Sequence, residues 1–143
     1  MEDMHVIWLY NEKEFSDDDI GDYKAFVYVI TNNLNGKQYF GKKRLSKKTT
    51  KPPLKGAKRK RVTYSVSDYQ SYYGSNEDLK ADVEEFGKEN FTRTILHLCK
   101  TLGESSYWEA YHQIVNHVLM HPDKYYNQWL QCKIHRKHLP SAK

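Results

Sequence analysis

The sequence predicts an α+β domain, in which a small antiparallel sheet of about three strands is flanked by helices. Three observations lead to this class: a β-branched apolar run that enters an Asn-Gly turn, a further strand-like run after residue 90, and two segments with helical spacing of apolar residues. A length of 143 residues fits one compact domain with a single modest core.

A β-hairpin is predicted over residues 25–40. Residues 25–31 are β-branched, aromatic and apolar on both alternating faces, which is typical of a covered strand. Asn35-Gly36 tolerates the positive φ of a tight turn, and an extended pattern resumes at residues 37–40. This hairpin is the strongest local signal in the chain.

The second half of the chain predicts helix, strand and helix. The first helix runs from a cap at Ser75 to a stop at Gly87, and the strand covers residues 91–98. The second helix runs from about residue 104 to about residue 120, before Pro122. Its apolar stripe consists of Tyr107, Tyr111, Ile114 and Val118.

Positive charge is concentrated in one segment. The net charge is +5, yet residues 42–61 carry eleven Lys or Arg and no acid, so the rest of the chain is net negative. Such a segment attracts polyphosphate through counterion release, which predicts a nucleic-acid partner, although a solvated lysine-rich loop is the alternative. Pro52-Pro53 and Gly56 disfavour a continuous helix, so a long loop is predicted there.

The ends of the chain suggest its organisation and location. Residues 1–22 hold eight acids against one Lys and are predicted to be an acidic, peripheral leader, with one domain over residues 23–143. We expect a soluble cytoplasmic protein, because no signal-peptide pattern and no apolar run of about 20 residues occurs. Cys99 and Cys132 are expected to be free thiols, with a single bridge as the alternative.

The hairpin carries a motif. Residues 26–28, Phe-Val-Tyr, are followed after ten residues by Tyr-Phe-Gly at 39–41, which resembles the two halves of the motif that names the GIY-YIG nuclease superfamily. Later strings resemble, in the correct order, landmarks of its phage-encoded, Seg-like members; they lie at residues 72–75, 86–91, 107–110 and 125–127. The resemblance covers about residues 24–130.

This resemblance implies a metal-dependent endonuclease that hydrolyses DNA phosphodiesters with Mg²⁺ or Mn²⁺, in the host cytoplasm if the chain is phage-encoded. It implies that Glu109 is the metal ligand, that Tyr28 is the general base toward water, and that Tyr39 supports the water or the phosphate. It further implies that Tyr73 touches the scissile phosphate and that Asn127 orients groups of the site.

Two positions depart from the family pattern. Phe26 replaces the first glycine of the motif and is expected to narrow the approach to the cleft. The family's helical arginine has no clean match, so Lys42 or Lys43 is expected to replace it, with Arg44, Arg59 and Arg61 as further candidates. Because an ordinary phenol has a pKa near ~10, positive charge from Lys42, Lys43 and Arg44 is expected to favour proton movement at Tyr28.

Contacts to DNA are assigned to the remaining cations of the basic segment. These are Lys47, Lys48, Lys51, Lys55, Lys58, Arg59, Lys60 and Arg61.

Other interpretations stay open at this point. Glu109 could be a solvated helix residue, and both tyrosines could fill the core. The domain could bind nucleic acid without cutting it, or serve a structural or protein-partner role through its acidic leader. A zinc site is a further alternative, with ligands from His97, Cys99, Cys132, His135 and His138. Neither the oligomeric state nor the recognised sequence is predicted.

Overall fold

A computed structural model describes residues 7–140 of the chain. Seven strands and two α-helices follow one another within this range. The strands are β1 Trp8–Tyr10, β2 Lys13–Glu14, β3 Ala25–Asn32, β4 Gln38–Arg44, β5 Ser46–Lys51, β6 Arg61–Val66 and β7 Phe91–Cys99. The helices are α1 Glu77–Phe86 and α2 Leu102–Val115.

The main sheet has five strands in the order β2-β1-β7-β3-β4. All neighbours are antiparallel except β1 and β7, which run parallel. The α+β class is confirmed, but the predicted number of about three strands is too low. The two additional strands come from the segment predicted to be a peripheral leader, because its apolar island places Trp8 in the core with 1% of its surface exposed.

The predicted hairpin is confirmed as β3 and β4. The turn between them contains Gly36 at φ +79°, a backbone conformation that glycine adopts without strain. β4 continues four residues beyond the predicted end at residue 40, and its register places Gly41 opposite Tyr28. The two halves of the motif therefore lie side by side on neighbouring strands.

Part of the basic segment is extended rather than a loop, so that prediction is wrong for residues 42–44 at the end of β4, for residues 46–51 and for Arg61. β5 and β6 pair antiparallel over six residue pairs, from Ser46 opposite Val66 to Lys51 opposite Arg61. Together they form a separate two-stranded sheet. We call β5, β6 and the connecting residues 52–60 the basic ribbon.

Helix α1 begins one residue later than predicted. Asn76 is its N-cap, and the Asn76 side chain accepts a hydrogen bond of 2.9 Å from the Leu79 backbone N–H. The Ser75 hydroxyl is instead hydrogen-bonded with Tyr39 across 3.2 Å. The predicted stop at Gly87 is confirmed, at φ +92°.

Helix α2 differs from its prediction at the end and in its buried face. It ends at Val115, because His117 adopts a left-handed conformation with φ 55° that stops the helix before residue 120. The buried residues are Ser105, Ala110 and Gln113, whereas Tyr111 and Ile114 of the predicted stripe are 46% and 51% exposed. The buried face of α2 therefore combines Ala110 with two polar residues, and Val118 is the residue of the predicted stripe that is buried, beyond the end of the helix.

A pair of histidines joins α2 to β7. The Nε2 atoms of His97 and His112 are 2.8 Å apart, a distance that requires one ring nitrogen to donate and the other to accept. The His97 ring also stacks on Trp108, with ring centroids 4.2 Å apart. Burial lowers the pKa of both histidines, and the charge of His97 lowers the pKa of His112 further.

This pair makes stability depend on pH. Because both folded-state pKa values lie below the ordinary value near 6.5, the unfolded chain binds more protons in mild acid. We expect the free energy of unfolding to be largest above about pH 6.5 and to fall between about pH 6.5 and 5. Urea unfolding at several pH values measures this, and His112→Phe, which keeps a ring beside Phe40, should flatten the dependence. An unchanged slope in the variant would contradict the assignment.

The tail after α2 covers the outer edge of β4. The Gln38 N–H donates to the Lys124 carbonyl across 2.9 Å, and the Tyr126 N–H donates to the Gln38 carbonyl across 2.8 Å. The Tyr126 hydroxyl donates to Asp82 of α1 across 2.7 Å, which fixes the tail to the helix. These contacts satisfy backbone groups that an open edge strand leaves unpaired.

The two cysteines and the lengths of the helices bear on two further predictions. Cys99 is buried and Cys132 is exposed, and both are free thiols. Neither helix between residues 7 and 140 has the length and apolar character that crossing a bilayer demands.

Candidate active site

A cavity of about 280 Å³ lies beside the edge strand β4, and we call it the edge cleft. It brings together five of the predicted site residues, namely Tyr28, Tyr39, Lys42, Glu109 and Asn127. The remaining residues that line it are Ser75, Asn76, Gln113, Gln128, Trp129 and Gln131. Residues from both strands of the hairpin, from α2 and from the tail therefore meet in one place.

The two tyrosines enter the cleft from one face of the hairpin. Their ring centroids are 6.2 Å apart. A Cβ atom at Gly41 would lie 2.5 Å from the Tyr28 hydroxyl oxygen and 3.0 Å from a ring carbon of Tyr39. The Tyr28 hydroxyl therefore lies directly above the Gly41 backbone, in space that only glycine leaves open.

Gly41→Ala is expected to displace Tyr28 and to reduce any activity of the cleft by about 100-fold, because displacements near 1 Å have effects of that order. The Gly41 backbone does not have a positive φ, so the cost comes from the contact and not from the backbone conformation. DNA cleavage and thermal unfolding measured together would check this. Wild-type cleavage by a stable variant would show that the close approach has no role.

Glu109 reaches the cleft from α2, which packs on the opposite face of the sheet. The pKa of Glu109 is raised, mainly because its carboxyl is removed from water, while the charge of Lys42 acts in the opposite direction. Lys42 itself donates a hydrogen bond of 2.6 Å to the hydroxyl of Ser106, one turn before Glu109 on the helix. A carboxylate destabilised by burial favours binding of a cation.

The acidity of the phenols differs from the expectation. Burial raises the pKa of Tyr28 well above its usual value near 10, and the neighbouring phenols Tyr72 and Tyr39 raise it further. The pKa of Tyr39 is also raised by burial. Both phenols of the cleft are therefore protonated at neutral pH when no further positive charge is present.

The expected field of three cations is not assembled around Tyr28. Lys42 lines the cleft, but Lys43 forms an ion pair of 2.6 Å with Asp68. Arg44 lines a separate hollow at the base of the basic ribbon. The register places Lys43 on the same face of β4 as Tyr39, where its ammonium lies 4.3 Å from the centre of the Tyr72 ring, and places Lys42 on the face toward α2. Lys42 is the one residue of this trio that lines the cleft, and it reaches the cleft from the α2 side.

Asn127 and Gln113 hold the backbone between the motif residues. The Asn127 side chain accepts from the Phe40 N–H across 3.1 Å and donates to the Phe40 carbonyl across 2.9 Å. Gln113 donates to the same carbonyl across 3.1 Å. These bonds fix the strand between Tyr39 and Gly41, so both amides position the cleft.

Other predicted residues lie elsewhere. Tyr73 is buried beneath Arg93, whose guanidinium lies 4.2 Å from the centre of its ring, and it does not line the edge cleft. Phe26 is fully buried against Trp8, with ring centroids 4.8 Å apart, so it fills the core and does not narrow the cleft. Arg59 and Arg61 belong to the basic ribbon.

Ser75 and Gln113 line the cleft although the sequence does not predict a role for either of them in the site. Ser75 has the sequence context of a helix cap, and Gln113 has that of an ordinary polar position on a helix surface. Their bonds to Tyr39 and Phe40 depend on contacts between residues 36 and 73 positions apart. Local patterns do not contain such contacts.

The donor set of the cleft suits a hard cation held by few protein ligands. Within residues 7–140, no group of three or more His, Cys, Asp or Glu is close enough to hold a metal ion. Mg²⁺ needs only one or two carboxylates, with water completing its octahedron, and Glu109 meets that requirement. The alternative zinc site is not assembled, because His97 pairs with His112 and a tetrahedral zinc site needs four ligands.

Comparison with known proteins identifies the family of the chain. The family model described as "Putative endonuclease segE, GIY-YIG domain" matches residues 8–130. The chain belongs to the GIY-YIG nuclease superfamily. The GIY-YIG match begins at β1, which agrees with the place of that strand in the sheet.

One relative of this GIY-YIG chain is described as "Putative endonuclease segE" and comes from Enterobacteria phage T4. The two are 31% identical over 103 residues, which is 71% of this chain and 39% of the relative. The chain thus spans about two fifths of that relative's length. No solved structure matches the chain.

Proposed function

We propose that this chain is an endonuclease that hydrolyses phosphodiester bonds of DNA in the edge cleft, with Mg²⁺ or Mn²⁺ as its cofactor. The observation that carries the proposal is the convergence of Tyr28, Tyr39 and Glu109 on one cavity, although Glu109 lies about 70 residues from the second tyrosine along the chain. Membership in the GIY-YIG superfamily and the likeness to the phage segE protein support it. We place its action in the cytoplasm of a phage-infected cell.

Each residue of the cleft has a proposed task. Glu109 would hold the divalent cation, which supplies the charge that activates water and neutralises the departing oxygen. Burial keeps the Tyr28 hydroxyl protonated at neutral pH. Tyr28 therefore acts as a base only when cations in the cleft lower its pKa. Tyr39, hydrogen-bonded with Ser75, orients the water or the phosphate. Lys42 replaces the family arginine as the cation beside the carboxylate.

Supercoiled plasmid DNA tests the proposal directly. Purified full-length chain with Mg²⁺ or Mn²⁺ is expected to convert the plasmid to nicked or linear forms, and EDTA should stop the reaction. Intact plasmid with every divalent cation tried would contradict it.

The second candidate is a nucleic-acid-binding module without cleavage. The raised pKa of Tyr28 favours it, because a hydroxyl that stays protonated at neutral pH does not take a proton from water. Salt-sensitive DNA binding without any nicking would select this candidate over the nuclease.

A further inference from the structure

The basic ribbon stands apart from the five-stranded sheet. It forms its own two-stranded sheet, and every residue of β6 is exposed. Residues 46–66 contain eight Lys or Arg and no acid. A two-stranded ribbon with both faces in water is not stabilised by core packing. Its positive charge points to a polyanionic partner.

The register gives the ribbon two chemically different faces, because residues directly opposite each other share a face. One face combines three cations with three hydroxyls: Lys47, Lys51, Arg61, Thr49, Thr63 and Ser65. We call it the cationic face. The opposite face carries a row of exposed apolar side chains, Val62, Tyr64 and Val66, and a single cation, Lys48.

The dimensions of the ribbon match one groove of duplex DNA. A major groove about 12 Å wide admits a two-stranded β-ribbon, whereas a minor groove about 6 Å wide does not. Six residues per strand extend about 20 Å, which corresponds to about six base pairs at 3.4 Å each. Lysine, arginine and hydroxyl side chains are the donors that read base edges in the major groove.

The ribbon is also joined to the edge cleft. β5 follows β4 after one buried residue, Leu45, so the strand that carries Tyr39, Gly41 and Lys42 leads directly into the cationic face. Lys51 is nine positions after Lys42, a reach of at most about 30 Å. DNA held by the ribbon therefore presents phosphates to the cleft within about one helical turn of the contacted bases.

We propose that the basic ribbon enters the major groove of duplex DNA with its cationic face toward the base edges, and thereby selects the sequence presented to the edge cleft. The inference deepens the proposed function and rests on it for the identity of the partner. Cations of the connecting residues 52–60 contact phosphates and add affinity without selecting sequence.

Binding of the full chain to short duplexes in EDTA tests the groove assignment apart from cleavage. The probes are one duplex with unmodified guanines and the same duplex with 7-methylguanine, whose methyl group projects into the major groove. We expect methylation to weaken binding of the wild type by about 10-fold or more, the effect of one good base contact. The triple variant Lys47→Gln, Lys51→Gln, Arg61→Gln should bind both duplexes equally.

A matched control removes the same charge from the connecting residues through Lys55→Gln, Lys58→Gln and Lys60→Gln. This control should lose affinity and salt dependence but keep the 10-fold discrimination. Equal binding of both duplexes by the wild type, or retained discrimination in the cationic-face variant, would overturn the inference. So would stronger binding of single-stranded DNA that is lost in Tyr64→Ala, since that would place the apolar face against the bases.

The two proposals fail in different ways. Weaker binding of the methylated duplex without plasmid cleavage would contradict the proposed nuclease activity but support major-groove binding by the ribbon. Plasmid cleavage by a protein that binds both duplexes equally would contradict the proposed role of the ribbon and leave the nuclease activity in place.

Discussion

Glu109→Gln is expected to reduce cleavage of plasmid DNA by at least about 100-fold, because an uncharged amide replaces the one carboxylate of the edge cleft that can hold Mg²⁺. Affinity for DNA should be unchanged, since the cations proposed to contact DNA lie in the basic ribbon. The measurements are initial nicking rates with Mg²⁺ and binding of a short duplex in EDTA. Glu85→Gln, an exposed glutamate of α1, is the matched control and should cut like the wild type.

The same substitution makes a prediction about stability. Because burial raises the pKa of Glu109, the folded protein disfavours the ionised carboxylate at neutral pH. Glu109→Gln should therefore unfold at the same temperature as the wild type or higher. A variant that is both less stable and less active would assign the carboxylate to the fold, and a variant with the full cutting rate would remove Glu109 from the site.

Tyr28→Phe is expected to reduce the nicking rate by about 10²–10⁴-fold, the range that general acid–base groups contribute. The ring keeps its contacts with Trp8 and Tyr72 in the core, so only the hydroxyl above Gly41 is lost. Nicking rates and DNA affinity should be compared with those of Tyr69→Phe, which removes a phenol hydroxyl outside the cleft. If the two variants cut equally well, Tyr28 is a core residue without a chemical task.

The local parts of the fold are predictable because their signals are local. β3, its turn at Gly36 and β4 follow from β-branched residues and one Asn-Gly pair, and Gly87 ends α1 as its positive φ requires. The parallel pairing of β1 with β7 joins residues about 85 positions apart, and three residues carry too little periodicity to reveal it. Trp8 becomes a core residue only through that pairing.

The errors at α2 and the basic ribbon have physical causes. α2 has aromatic residues on the side predicted to be buried, yet its polar side is needed against the sheet, where Gln113 satisfies the Phe40 carbonyl. The basic ribbon has lysine and threonine on both faces of β5, so no alternation of apolar and polar residues reports a strand.

Some residues of the candidate site are predictable from the sequence, and others depend on tertiary contacts. Tyr28, Tyr39, Glu109 and Asn127 are accessible from the sequence because a family motif records them, whereas composition and spacing alone leave each with an ordinary structural interpretation. Choosing among Lys42, Lys43 and Arg44 requires knowing which face of β4 each one occupies, and the ion pair between Lys43 and Asp68 is a tertiary contact. Ser75 and Gln113 become visible only when the chain is folded.

The most direct measurement is a crystal structure of the full chain soaked with Mn²⁺, with the metal located by anomalous scattering. The proposed function predicts one strong peak in the edge cleft, about 2.1 Å from a carboxylate oxygen of Glu109 and on the side of the Tyr28 and Tyr39 hydroxyls. A peak at another site, in crystals of protein that cuts DNA with Mn²⁺, would contradict the assignment of Glu109 and of the edge cleft as the catalytic centre.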